Sequence, residues 1–240
     1  MTGKTQQWLN MTAAGLVAAT LGACATGKLF HADFNADSVG APPAKNPPGV
    51  PSGDQIWTGD QPSGTELTVV QSAELNSKAA SYRNLNLSTP QRFVGFFSQT
   101  TPLPANQKFR AWWNGRIDLT STGSGLEVWL GDGHFGQIAD FRFKDGNVRL
   151  KTSGGSSPTY ETIGTYNESE THTVFITVDK AAAQYSLVII PGSVLSGWRP
   201  VLSTEVMKTS TPTLYFYYYE DGKYGAGKYV VDNILIEKIQ

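Results

Sequence analysis

The chain holds the residue types of several catalytic sites without their spacing. Retaining hydrolysis of a glycosidic bond needs two carboxylates about 5 Å apart, flanking the bond. On a strand that requires an even separation, because successive side chains point to opposite faces. In Gly125-Leu126-Glu127-Val128-Trp129-Leu130-Gly131-Asp132, Glu127 and Asp132 are five positions apart and face opposite ways. The three histidines, His31, His134 and His172, are scattered without metal-ligand spacing, which argues against zinc. No Gly-x-Ser-x-Gly turn exposes a serine nucleophile. Cys24 is the single cysteine, so no intramolecular disulfide can form, and a reactive thiolate there would need a folded environment to lower its pKa.

Binding chemistry is better supplied. The run Phe109–Leu119 alternates: with Phe109, Ala111, Trp113, Ile117 and Leu119 inward, Arg110, Trp112, Asn114, Arg116 and Asp118 share the other face. With Leu126, Val128 and Leu130 inward, Glu127 and Trp129 face out, as do Asp140 and Arg142 when Ala139, Phe141 and Phe143 face in. With Leu214, Phe216 and Tyr218 inward, Tyr215, Tyr217 and Tyr219 form an outward row. One sheet face would then combine flat aromatics with arginines and carboxylates. Sugars suit such a surface, because their C–H faces pack on rings while hydroxyls bond charged planar groups. The candidate carbohydrate-binding residues are Arg110, Trp112, Arg116, Glu127, Trp129, Arg142, Tyr215, Tyr217 and Tyr219. The same alternation also allows these aromatics to lie under loops or against a second layer.

The elements that must position them are strands. Period-two alternation dominates from residue 65 onward, and Lys144-Asp145-Gly146-Asn147 is a hairpin signal between two alternating runs. Further strands are expected at 171–179, 184–190, 213–219 and 228–238. A short strand followed by an Asx-type turn is expected within residues 29–40. Residues 41–64 hold six prolines and read as a long ordered loop inside one domain, because too little chain precedes them to make another. Beyond the N-terminal segment no helical period is convincing. The expected fold is all-β, two packed antiparallel sheets in a β-sandwich.

Charged residues are 16% of the 240-residue chain and the formal net charge is -1, with no basic block of the kind that binds nucleic acid or anionic lipid. The N-terminus, MTGKTQQWLNMTAAGLVAATLGAC, has a cationic start at Lys4 and a small, apolar run from Leu9 to Leu21. That run is shorter than the roughly 20 apolar residues of a membrane-spanning helix and fits a signal peptide. Its end, Leu21-Gly22-Ala23-Cys24, resembles the lipobox of bacterial lipoproteins. The resemblance implies cleavage before Cys24 and acylation, palmitate included, of Cys24 itself. Residues 1–23 would be the signal peptide, 24–28 the lipidated cysteine and tether, and 29–240 the folded domain. Ala25, where an aspartate would retain the protein at the inner membrane, favours the outer membrane or cell surface. Two or three acyl chains make a stable anchor.

Three segments resemble the concanavalin A-like lectin/glucanase superfamily, which includes laminin-G-like modules: the opening LFHADFNADSVGAPP, the central LEVWLGDGHFGQIADFRFKDGNVRL and the closing GKYVVDNILIEKI. The resemblance implies a jelly-roll sandwich whose N-terminal strand pairs beside the C-terminal one. Its glucanases carry a Glu-x-Asp-x-x-Glu-type motif, but here Trp129 stands where the second carboxylate would be. Its alginate lyases use arginines, a Gln and His pair, and a tyrosine. Arg110, Arg116, Gln137, His134 and the C-terminal tyrosines match in type, yet FRAWWNGRIDL lacks Arg-x-Glu-x-Arg and Gln137-Ile138 is followed by Ala139 rather than His. Some carbohydrate-binding relatives hold a structural calcium with an N-terminal acidic residue and an aspartate of the last strand, for which Asp33 and Asp232 are the counterparts. No cofactor is required by this reading. The leading expectation is non-catalytic glycan binding at the envelope. A polysaccharide lyase or hydrolase of the same fold, and a structural envelope protein without small ligand, are the alternatives.

Overall fold

The computed structural model describes residues 25–44, 55–58, 65–84, 93–97, 103–119, 124–131, 136–153, 158–192, 194–203, 212–220 and 227–240. Among these residues the regular elements are strands, sixteen in all, and they form two antiparallel sheets.

The nine-stranded sheet contains β1 (Ala25–Ala32), β3 (Thr65–Ser72), β4 (Ser77–Asn84), β6 (Lys108–Leu119), β11 (Thr171–Asp179), β12 (Gln184–Ile190), β13 (Val194–Leu195), β14 (Arg199–Pro200) and β16 (Gly227–Ile239). Its order is β13-β12-β11-β6-β16-β4-β3, with β1 beside β16 and β14 beside β12. The seven-stranded sheet contains β2 (Gln55–Thr58), β5 (Phe93–Phe97), β7 (Ser124–Gly131), β8 (Gln137–Lys144), β9 (Asn147–Lys151), β10 (Tyr160–Thr165) and β15 (Thr213–Glu220), in the order β10-β9-β8-β7-β15-β5-β2. The expected two-sheet sandwich is therefore present, with β1 paired antiparallel to β16 from Ala25↔Ile239 to Ala32↔Ile234. β1 begins inside the stretch expected to be a tether.

The alternation read from the sequence faces the core as expected. Phe109, Ala111, Trp113 and Ile117 from one sheet meet Leu126, Val128, Leu130, Phe141, Phe143, Leu214 and Phe216 from the other, all with at most 1% of their surface exposed. Burying each such large side chain contributes about 1.5–3 kcal/mol. Trp113 packs edge-on against Phe216 and stacked on Phe141, at 5.3 and 6.5 Å between ring centroids.

Local chemistry sets the ends of strands. Asp145 and Gly146 both have positive φ, 50° and 72°, the left-handed pair that joins β8 to β9 in a two-residue hairpin. Asp33 accepts a hydrogen bond from the Asn35 amide at 3.2 Å, closing the expected Asx turn after β1. In β16, Asn233 sits at φ 53° within a bulge between Asp232 and Leu235. Asparagine tolerates that conformation, which explains the Asp-Asn step in the last strand.

Six strands were not foreseen, two of them the two-residue β13 and β14. β2 interrupts the proline-rich segment expected to be loop throughout. β4 hides its pattern because alanines, Ala79 and Ala80, fill its buried positions. β5 and the largely exposed edge strand β10 also lacked a legible alternation.

Candidate functional site

The expectation that all outward aromatics and arginines share one face does not hold. β6 belongs to the nine-stranded sheet, whereas β7, β8 and β15 belong to the other. Arg110, Trp112 and Arg116 therefore point away from the sandwich on the side opposite to Glu127, Trp129, Arg142 and Tyr215. Alternation along a strand tells inside from outside; it does not say which sheet the strand joins.

On the nine-stranded sheet the candidates are tied into structure. Arg110 is buried and donates from Nε and Nη2 to Glu237 Oε1, at 3.0 and 2.6 Å. Its guanidinium lies 5.8 Å from the Phe175 ring centre, and half-buried Trp112 lies against the same ring at 6.1 Å. Arg116 is held by Glu74 at 2.8 Å and by Asp118 at 3.5 Å.

The outer face of the seven-stranded sheet is where the remaining candidates meet. Strand register draws two rows across it. One row runs Tyr160, Lys151, Asp140, Trp129, Tyr215 and Gly95 from β10 to β5. The adjacent row runs Thr162, Arg149, Arg142, Glu127 and Tyr217. Neighbouring strands lie about 4.8 Å apart, so each row repeats on roughly the scale of a sugar ring. The side chains of Tyr217 and Tyr219 lie outside the described residues, as does Cys24.

Contacts within these rows are dense. Trp129 packs on Tyr215 at 4.7 Å between ring centres. Glu127 is buried and takes a hydrogen bond from Arg142 Nε, while the Arg142 guanidinium stacks 3.9 Å above the Tyr160 ring. Lys151 Nζ donates to Asp140 Oδ2 at 3.1 Å and to Gln137 Oε1 at 2.8 Å, and Gln137 Nε2 donates to the same carboxylate oxygen at 3.0 Å. Gln137 reaches this face because a register shift opposite Leu130 and Gly131 inserts Ile138 as an extra residue. Arg149, Lys151 and Tyr160 were not singled out from the sequence. Arg149 and Lys151 alternate with buried Val148 and Leu150 in a strand of only five residues, and β10 has no buried position to mark Tyr160 as outward.

Two carboxyls are closed to solvent beneath this surface, with Glu127 1% and Asp140 0% exposed. Burial, and then the neighbouring Glu127 charge, push the Asp140 carboxyl well above the usual carboxylate range. Asp140 Oδ2 takes both donors from Lys151 and Gln137, whereas Oδ1 accepts none among the described residues. A proton on Oδ1 can be donated to Glu127, which is within side-chain hydrogen-bonding reach. Asp140→Asn places an amide N–H where that proton sits and is expected to change stability by less than about 1 kcal/mol at a pH where Asp140 holds it. Asp140→Ala leaves Lys151 with Gln137 as its one acceptor among the described residues and is expected to cost about 3 kcal/mol. The folded state keeps this proton at pH values where the unfolded chain has lost it, so Asp140 adds stability on acidification, and the Asn variant loses that slope. Chemical denaturation from pH 8 to 4 checks both statements. An Asn variant as unstable as the Ala variant would show an ionised Asp140.

Asp33 and Asp232, the calcium counterparts, lie near each other, and Asp232 Oδ1 is buried and accepts no hydrogen bond among the described residues. Ser77 Oγ and Asn233 Nδ2 donate to Asp232 Oδ2 at 2.5 and 3.1 Å, and burial followed by the Asp33 charge raises the Asp232 carboxyl. The turn carbonyls of Asn35 and Asp37 accept from Lys78 Nζ at 3.0 and 2.7 Å. The cation seated in that turn is thus the chain's own ammonium, and the described residues contain no cluster of three or more His, Cys, Asp or Glu suited to a metal.

No family model matches the chain, and no curated protein matches it either. Solved structures do. The fold resembles a protein of unknown function from Shewanella oneidensis MR-1, with a TM-score of 0.58, 11% identity and 92% of each chain covered. It resembles a carbohydrate esterase from the Shiga toxin-encoding bacteriophage phi24B, with a TM-score of 0.56, 11% identity, and 89% of this chain and 99% of that one covered. It also resembles alginate lyase A1-II′ of polysaccharide lyase family 7, with a TM-score of 0.53, 10% identity, and 76% and 86% covered. A sialidase matches over 88% of this chain, which spans only 19% of the sialidase. What this chain shares with them is the concanavalin A-like β-sandwich fold.

Proposed function

We propose that this chain is an exported lipoprotein, anchored through acylated Cys24, which binds a polysaccharide non-catalytically on the outer face of its seven-stranded sheet. The observation that carries the reading is the pair of cross-strand rows, in which Trp129 and Tyr160 are set among Arg142, Lys151 and Gln137. A polysaccharide laid across the strands would meet ring faces and charged hydrogen-bond donors at sugar-sized intervals. The neighbours whose printed names involve carbohydrates, an alginate lyase, a sialidase and a carbohydrate esterase, support a glycan partner.

Binding is favoured over cleavage by the placement of the carboxyls. An acid that protonates a leaving group must touch it. On this face Glu127 and Asp140 lie beneath the surface, holding Arg142 and Lys151 in place. They are supports for the cations that a ligand would meet. Trp112 and Arg110, on the other sheet, take no part.

One preparation tests both parts. Electrophoresis of the purified protein through gels containing single polysaccharides should show retardation by at least one of them. Trp129→Ala should remove it without loss of folding. The intact protein should partition into a detergent phase, and Cys24→Ala should not. Equal retardation of the Trp129 variant, or a Cys24→Ala form that stays with membranes, would overturn the corresponding half. Release of unsaturated oligosaccharides would replace binding by lyase activity.

A further inference from the structure

The two rows differ in how their cations are satisfied. Arg142 has Glu127 and the Tyr160 ring, and Lys151 has Asp140 and Gln137. Arg149 stands between them in β9, and the described residues offer it no ion pair. Its register partner on β8 is Arg142, a second guanidinium, and its partner on β10 is Thr162, which is uncharged. Like charges directly opposite one another on a sheet repel. The Arg149 Nε is moreover buried and finds no hydrogen-bond acceptor among the described residues. A buried donor without an acceptor weakens a fold unless something else supplies the acceptor.

Nothing in the core requires an arginine there. Val148 and Leu150 on either side fill the interior, and Arg149 is only half-buried on the outer face. The position therefore keeps an uncompensated charge and an unsatisfied donor, beside a second guanidinium, within the face assigned above to polysaccharide. A planar fork of N–H donors matches an oxyanion with two or three oxygens and has no comparable match in a neutral sugar hydroxyl.

We propose that Arg149, with Arg142 facing it across β8 and β9, receives an anionic substituent of the polysaccharide, a carboxylate or a sulfate ester. The proposal rests on the glycan-binding reading and narrows it to acidic polymers. Arg142 is already neutralised by Glu127, so Arg149 supplies the guanidinium charge left for the ligand. Trp129, one row away, contributes stacking that does not depend on that charge.

The test is affinity electrophoresis of the full protein against three polymers: polygalacturonate for carboxylate, dextran sulfate for sulfate, and hydroxyethyl cellulose as the neutral arm. Wild type should bind one or both acidic polymers at least about tenfold more tightly than the neutral one, with affinity falling as salt rises. Arg149→Gln should lose at least about tenfold toward the acidic polymer. Arg149→Lys, which keeps the charge but not the fork, should lose less. Neither variant should lower the melting temperature, since the described residues include no hydrogen-bond or ion-pair partner for this side chain. Acidic-polymer affinity unchanged in Arg149→Gln would overturn the proposal. So would tight binding of the neutral polymer that Trp129→Ala abolishes and Arg149→Gln leaves intact, an outcome that preserves the glycan-binding face. Failure of all three polymers to bind would overturn both readings together.

Discussion

Gly115→Ala is expected to destabilise the domain by about 3 kcal/mol. Gly115 occupies an inward position of β6, between Trp113 and Ile117, where the alternation calls for an apolar side chain. A Cβ there would come within 2.4 Å of the Tyr229 hydroxyl oxygen and 2.8 Å of the ring carbon that bears it. Tyr229 cannot retreat, because it is fully buried and its hydroxyl is bonded on two sides. Trp113 Nε1 donates to it at 2.5 Å, and His172 Nε2 lies 3.2 Å away. The added methyl therefore imposes both overpacking and a broken buried hydrogen-bond chain. Denaturant titration of Gly115→Ala, Tyr229→Phe and the double variant checks this. Phenylalanine removes the oxygen that the methyl strikes, so the double variant should be more stable than the sum of the single losses predicts. Additive losses, or a Gly115→Ala protein within about 0.5 kcal/mol of wild type, would refute the account.

The second large effect is on acid stability and arises from the same chain of bonds. An indole N–H can only donate, so Tyr229 accepts from Trp113 and gives its own proton to His172 Nε2. His172 must then carry its proton on Nδ1, where the Glu170 backbone carbonyl accepts it. A second proton on Nε2 would confront the tyrosine O–H and introduce a charge between the Phe143 and Tyr229 rings. Burial accordingly lowers the His172 pKa from 6.5 to about 4. The folded state thus takes up this proton later than the unfolded chain does. Stability from His172 is complete above about pH 6.5, falls as the pH drops toward 4, and is lost in full below that, a total of about 3 kcal/mol. Asp140 and Asp232, whose carboxyls are raised, act with the opposite sign. The quantity to measure is therefore the difference between wild type and His172→Gln. It should be flat above pH 7 and close by about 3 kcal/mol between pH 6.5 and 4. A constant difference would mean that His172 is charged, or open to solvent, in the folded protein.

The core was legible because it obeys a local rule. Leu126, Val128 and Leu130 or Phe141 and Phe143 announce their faces by alternation alone, and Asp145-Gly146 announces its hairpin by backbone chemistry. The site was less legible because it depends on which strands become neighbours. Trp112 and Trp129 are equally outward in their strands, yet strand order puts them on opposite sides of the molecule. Gln137 has the wrong parity for the face it occupies, and only the extra residue Ile138 brings it there. Arg149 and Lys151 flank core residues in a five-residue strand, too short to distinguish a surface cation from a recruited one. The Arg110–Glu237 pair joins residues that meet only when β6 and β16 align. Gly115 interrupts an apolar alternation for a reason that lies in Tyr229, on a different strand.

The β1–β16 pairing carries a consequence for the order of assembly. Ala25 and Ile239 are register partners, so these two ends of the described residues lie one strand spacing apart, about 5 Å. The sheet can close there only after nearly the whole chain has been gathered, and loop closure over that length slows folding. A few residues joining 240 to 25 would convert this longest-range pairing into a hairpin. The chain could then be reopened at a surface turn such as Asp145-Gly146, giving a circular permutant with the same two sheets and a different entropic path to them.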